Sequence, residues 1–253
     1  MAASSSPLAR LALGLGILGV LVAAGTTLGA HYAALSPLIG FRVATSALFL
    51  CGTLTACLGA VALFRGWSRG IKEGRGLAIV ATLFGIALLL ALAIPGAQAA
   101  KVPPIHDLTT NIDDPPVFIH AQTLVANQGR SLDYPDGLEN TASLQREGYP
   151  ELRPLELNIQ PDVAYQRSLA AAQALGWQVT WRLATEHRFE ATESTELYRF
   201  TDDVSVRIRP LSGPDGGVVG SIVDVRSVSR VGLGDVGTNA ERIERFFDQL
   251  DPR

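Results

Sequence analysis

Three stretches of this chain, about residues 8–32, 41–64 and 77–94, are apolar almost throughout. A spanning helix needs about 20 such residues, and inside the hydrocarbon layer a backbone can satisfy its polar groups only as a helix or a closed barrel. The first hundred residues are therefore predicted to be three transmembrane helices in contact with the lipid bilayer. No Asp, Glu, Lys or Arg lies deep in these stretches, and Arg42 sits at an edge, so an ion pathway or proton relay has no parts and transport is not expected. Gly25-Thr-Thr-Leu-Gly29 has the small-xxx-small spacing that lets helices or protomers approach closely. The simpler account is that Gly and Ala are ordinary in membrane helices.

Orientation follows from charge. The segment "RGWSRGIKEGRG" between the second and third stretches carries Arg65, Arg69, Lys72 and Arg75, and short basic loops stay in the cytoplasm. The N-terminus is then cytoplasmic, the "SPLIG" turn is outside, and everything from Lys101 on is extracytoplasmic. This is the arrangement of a multi-pass protein of the bacterial inner membrane. "ALAIPGAQAAK" looks like a small-residue cleavage site, which leaves open release of the domain near Ala99-Ala100. The two halves differ in charge. Residues 1–100 hold six basic groups against Glu73, whereas residues 101–253 hold 15 basic against 23 acidic. An acidic second half does not suit nucleic acid, which needs a clustered basic face. Its lack of cysteine, with Cys51 and Cys57 both in an apolar stretch, removes disulfides and thiolate metal sites.

From Lys101 to about Gln160 the chain is rich in Pro, Asp, Asn and Gly and reads as backbone that wraps a core rather than making one. A helix is predicted from Pro161, with Tyr165, Leu169, Ala172 and Leu175 on one face and Gly176 as its stop. Short strand-like runs follow: "WQVTWRL", "HRFEATES", "TELYRF", "DVSVRIRP" and "VVGSIVDVRSVSR". Val204, Val206 and Ile208 alternate with Ser205, Arg207 and Arg209, and Val223 and Val225 alternate with Asp224 and Arg226. A hairpin with one buried and one charged face is expected. Ile243, Phe246, Phe247 and Leu250 give a final amphipathic helix. The domain, residues 101–253, should be α+β, an antiparallel sheet of about four or five strands covered by helices on one side.

Gly232-x-Gly234-x-x-Gly237 carries the glycine spacing of dinucleotide sites, and a strand precedes it and a helix follows. The fingerprint also needs a second parallel strand and an acidic residue about 20 positions on, but only 16 residues follow Gly237. No dinucleotide and no other cofactor is expected. Thr238-Asn-Ala-Glu241 reads instead as a capping box on the final helix, and a small anion at that helix N-terminus, beside Arg226 and Arg230, stays open.

The charged constellation is Asp202, Asp203, Arg207, Arg209, Asp224, Arg226, Ser227, Ser229, Arg230 and Asp235. One account is a salt-bridged outer face steadying the hairpin. The other is an arginine-lined groove that recognises a carboxylate, a phosphate or a headgroup through paired N–H donors. The candidate binding residues are Arg207, Asp224, Arg226, Arg230 and Asp235, with His106 and Asp107 just beyond the third span. His106 could relay protons beside Asp107, yet His120 and His187 add no metal-ligand spacing, so no metal is expected. Ser227 and Ser229 lack a G-x-S-x-G elbow.

"FTDDVSVRIRP" followed by "VDVRSVSRVGLGDVGTNAERIERFFDQL" resembles the signature of the domain-of-unknown-function family numbered 1499. "PPIHDLTTNIDDPPVF" is similar to that family's opening motif, and Gly176-Trp177 and Arg188–Thr192 extend the likeness over roughly 103–250. The resemblance implies a domain that often follows membrane helices and implies no established activity. The expectation is a membrane-tethered, non-catalytic domain binding a small anionic ligand or an envelope protein. The alternative is an envelope hydrolase using His106 with Asp107 or Asp203.

Overall fold

The computed structural model describes residues 6–134, 140–232, 234 and 236–251. Its chain falls into two compact units, Met1–Ala99 with Glu196–Arg199, and Ala100–Thr195 with Phe200–Arg253.

The first unit contains three helices, α1 (Pro7–His31), α2 (Pro37–Ser68) and α3 (Arg75–Ala99), each long and apolar enough to cross a membrane. Most of "SPLIG" belongs to α2, because Pro37 occupies its first position and the Ser36 hydroxyl accepts from the Ile39 N–H. The turn lies earlier, before Ser36. Ala99 is the last residue of α3, and Ala100 follows it directly.

Large side chains point away from the helix contacts and small ones make them. The buried positions of α1 are Ala9, Ala12, Gly16, Gly19, Ala23 and Ala30, and those of α3 are Ala78, Ala81, Gly85 and Leu88. Alternating steps of three and four residues are the spacing of coiled-coil-like packing, here with small residues that let backbones approach. Gly25 is off this seam, since a Cβ there would meet nothing, and one at Gly29 would meet only Leu35. The close approach is at Gly85, where a Cβ would come within 2.6 Å of the Gly52 carbonyl oxygen.

The second unit is built on a six-stranded, wholly antiparallel sheet. Its strands are β1 (Asp107–Thr109), β2 (Leu155–Leu157), β3 (Gln178–Leu183), β4 (Arg188–Ser194), β5 (Thr201–Ser212) and β6 (Val218–Ser229). They run in the order β1-β6-β5-β4-β3, and β2 continues the edge of β6 beyond β1. The α+β expectation holds, with one strand more than foreseen. β1 and β2 are three residues each, too short to show alternation, and they sit in the Pro-rich stretch read as wrapping. "TELYRF" is not a strand. All six of its residues lie in the turn between β4 and β5, where Arg199 takes φ 61°.

One face of the sheet carries Phe189, Val204, Val206, Ile208, Val223 and Val225. These pack with Tyr165 and Leu169 of α5 (Pro161–Ala174) and Ile243 and Phe246 of α6 (Thr238–Leu250). Trp177, just past Gly176 (φ 79°), stacks on Phe246 with ring centroids 4.9 Å apart. A short helix not foreseen, α4 (Thr141–Gly148), lies in the Pro-rich stretch and buries Gln145 against β1. The capping box does not form. Gly237 (φ 94°) is the N-cap of α6, so Thr238 already stands in its first turn and its hydroxyl does not cap the helix.

The opposite face overturns the expected solvent-facing hairpin. The chain from Thr110 to Tyr134 lies across it, and Asp203, Ser205, Asp224, Arg226 and Val228 are all buried. The sheet is thus a middle layer, with helices on one side and irregular backbone on the other.

Gly85→Leu should drive α2 and α3 apart and destabilise the detergent-solubilised chain by about 1–3 kcal/mol, the usual range for overpacking. Gly25→Leu should leave its thermal unfolding midpoint unchanged. Equal midpoints for the two variants would remove the seam.

Candidate functional site

The charged side chains on the covered face are arranged around Val228. In the register Val228 pairs with Asp107 of β1 on one side and with Asp203 of β5 on the other. Each carboxylate reaches an arginine two residues from Val228 along the chain, Arg226 within β6 and Arg230 just past its end. Asp107 takes Arg226 in a two-pronged pair (2.9 and 2.6 Å), and Asp203 takes Arg230 likewise (2.9 and 2.7 Å). Val228 itself joins Phe118, Ala121 and Leu132 in a small apolar plug. Further along, Asp224 stands opposite Arg207 in the register and accepts from both Arg207 and Arg209, at 3.0 and 2.6 Å. Donating to Asp224 pushes Arg209 above the ordinary arginine value, with burial opposing.

These pairs are mostly out of water. Arg226 is 1% exposed, its guanidinium lies over the rings of Phe118 (5.0 Å) and Tyr134 (5.3 Å), and Asp107 is fully buried. Two desolvated charges are tolerated only when paired and hydrogen-bonded, and the aromatic faces suit a guanidinium better than an ammonium.

The same face holds the segment above it. Arg207 donates to the Asp114 carbonyl (2.6 Å), Ser205 to the Val117 carbonyl (3.0 Å), and Asn127 to Asp203 (2.9 Å). Glu190 of β4 receives the backbone N–H groups of Ile119, His120 and Ala121. Those amides open a single 3₁₀ turn, Ala121–Thr123, where orphan donors favour a carboxylate.

On the helix side a second polar knot forms. Arg242 of α6, 1% exposed, donates to Glu193, to Asp202 (2.6 Å), to the Ser227 hydroxyl (2.9 Å) and to Asn239. Asn239 also donates to the His106 carbonyl and to Ser229, both at 3.0 Å. Both serine hydroxyls are therefore engaged. His106 sits beside Ser229, whose N–H donates to its carbonyl. Along the strand, however, it alternates with Asp107, whose carboxylate is on the other face with Arg226.

The structure thus brings together Arg207, Asp224, Arg226, Arg230 and Asp107 beneath the segment, and separates His106 from them. Arg226 and Arg230 are engaged on the face away from α6, so they do not flank its N-terminus as the open anion reading required. Asp235 lies outside the described residues. The glycines stand between an antiparallel strand and α6, where the dinucleotide fingerprint needs a parallel βαβ unit. Among the described residues no three of His, Cys, Asp and Glu gather as a metal site. Sequence reading missed Glu190, Asn127, Phe118 and Tyr134. It missed Asn239 and Arg242 too, although helical spacing places both on the Ile243 and Phe246 side of α6.

Asp107→Leu alone should cost about 3–5 kcal/mol, because it strands a buried guanidinium. Asp107→Leu with Arg226→Met should recover most of that loss. Thermal unfolding of the solubilised chain measures both, and additive losses would mean that the pair is not coupled.

No curated protein matches this chain. The family model described as "Protein of unknown function (DUF1499)" matches residues 107–250, from Asp107 at the start of β1 to Leu250 at the end of α6. The chain with this buried arginine network belongs to that family.

Proposed function

We propose that this protein is a bacterial inner-membrane protein whose C-terminal domain faces outside the cytoplasm and acts as a non-catalytic module for a protein partner in the cell envelope. One observation carries the reading. The charged residues that could have gripped a small anion are spent holding the Thr110–Tyr134 segment, while that segment turns apolar side chains outward. Val117, Ile119 and Val125 are 50%, 41% and 79% exposed. A fixed surface with exposed aliphatic anchors suits a protein partner, since little ordering remains to be done on binding.

A carboxylate or phosphate ligand would have to displace Asp107 or Asp203 from a two-pronged pair. The hydrolase alternative would need one of the same carboxylates released and turned toward His106. The outward orientation rests on four basic residues at the junction of α2 and α3, Arg65, Arg69, Lys72 and Arg75.

A reporter that folds only outside the cytoplasm, fused after Arg253, should be active, and an inactive fusion would reverse the orientation. A photoactivatable amino acid at Val125 or Ile119 in the full chain should yield a discrete cross-linked protein in cells, lost in an Ile119→Asp variant that still melts normally. Cross-links no stronger than those from exposed Glu151 would sink the interaction surface.

A further inference from the structure

At the basic end of the membrane unit, a cleft of about 380 Å³ opens between the start of α1 and the turn joining α2 to α3. Its charged lining is Arg65, Arg69, Glu73 and Arg75. Arg75 is committed to the architecture. Its guanidinium donates to the Ile71 carbonyl (2.7 Å) and the Gly66 carbonyl (3.2 Å), tying the start of α3 to the end of α2. Glu73 is also engaged. Arg65 and Arg69 differ. They stand four residues apart, Arg65 in the last turn of α2 and Arg69 at its C-cap, are exposed, and form no ion pair or side-chain hydrogen bond among the described residues. The other wall includes Ser6, Pro7 and Leu8, at the start of α1.

The cleft lies at the end of three helices of membrane-spanning length, which is headgroup depth, with bilayer alongside. We propose that it binds the phosphate of an anionic phospholipid, with Arg65 and Arg69 as paired donors. Two guanidiniums four residues apart can each present a planar pair of N–H groups to phosphate oxygens, and basic pockets between helices at this depth are suited to such headgroups. The acyl chains would run along the exposed apolar flanks of the helices. The site requires the helices to be in a bilayer but not the orientation proposed above, so an inactive reporter fusion would leave it standing.

The test is native mass spectrometry of the full chain in detergent micelles. It is titrated with phosphatidylglycerol, with phosphatidylcholine of the same acyl chains, and with inorganic phosphate. Phosphatidylglycerol should remain bound, and Arg65→Gln with Arg69→Gln should weaken it about tenfold or more. Arg42→Gln with Lys101→Gln removes the same charge from exposed residues near the other ends of the helices, outside the lining of the cleft, and should change little. An equal loss in that control would reduce the site to general attraction and overturn it. Equal retention of phosphatidylcholine would overturn the requirement for net anionic charge. Inorganic phosphate that binds and displaces the lipid would make the ligand a free anion instead. If the glutamine pair does not fold, Arg65→Lys with Arg69→Lys serves. It keeps the charge and loses the fork, and undiminished binding by it would overturn the paired-donor geometry.

Discussion

The pair between Asp107 and Arg226 ties together parts of the domain that sequence keeps 119 residues apart. Asp107 stands on a strand of three residues, and so short a strand has little of its own to fix its register on β6. A slip of one residue would turn Asp107 toward the apolar core and Leu108 toward the polar face. Both errors are costly, the first because it buries a carboxylate without its arginine. A buried ion pair is weak as a source of stability, since desolvation offsets much of its attraction. Its value here lies in what it excludes. Arg226 also lies against Phe118 and Tyr134, so the register of β1 and the path of the segment above are set by one guanidinium.

β6 is the hub because both its faces and both its edges are used. Its odd-numbered residues meet the helices, first as the valines 223 and 225 and then as the serines 227 and 229 that bond Asn239 and Arg242. Its even-numbered residues meet the segment through Asp224, Arg226 and Val228. The domain thus buries arginines above and below the same strand, each with carboxylates from a neighbouring strand. Charges on the two faces are separated by the sheet itself, which lets the two networks form without competing for partners.

Much of the architecture was legible in the chain. Apolar length marked the three long N-terminal helices, and 3.6-residue spacing marked α5 and α6. Alternation of Val with Asp, Ser and Arg gave the β5–β6 hairpin and the shared face of Arg207, Arg209, Asp224 and Arg226. What alternation cannot say is whether the polar face meets water or another part of the protein, because the pattern is the same in both cases. Glu190, between Phe189 and Ala191, looks like any solvent-facing strand residue, and its partners are amides some 70 positions away. Arg242 is a different failure. Its spacing from Ile243 and Phe246 put it on the buried side of α6, and only the habit of placing arginine outside hid it. The capping box misled because Gly237, with positive φ, could serve as the N-cap itself.

The stretch from Thr110 to Tyr134 is long for irregular backbone in a compact domain, where such loops are usually either functional or unordered. Residues 101–253 contain no cysteine, so no disulfide can staple it, and its apolar anchors to the sheet are few: Phe118, Ala121 and Leu132 around Val228. Order comes instead from hydrogen bonds that end on its backbone carbonyls and amides, from Arg207, Ser205 and Glu190. Such bonds hold the main chain while leaving side chains such as Val117, Ile119 and Val125 outside. Turning those aliphatics inward would bury more apolar area, but it would set them against groups such as Glu190 and Arg207 that need hydrogen-bond partners. The arrangement found keeps the charged face partnered by main chain and gives up that burial, leaving Val117, Ile119 and Val125 facing outward.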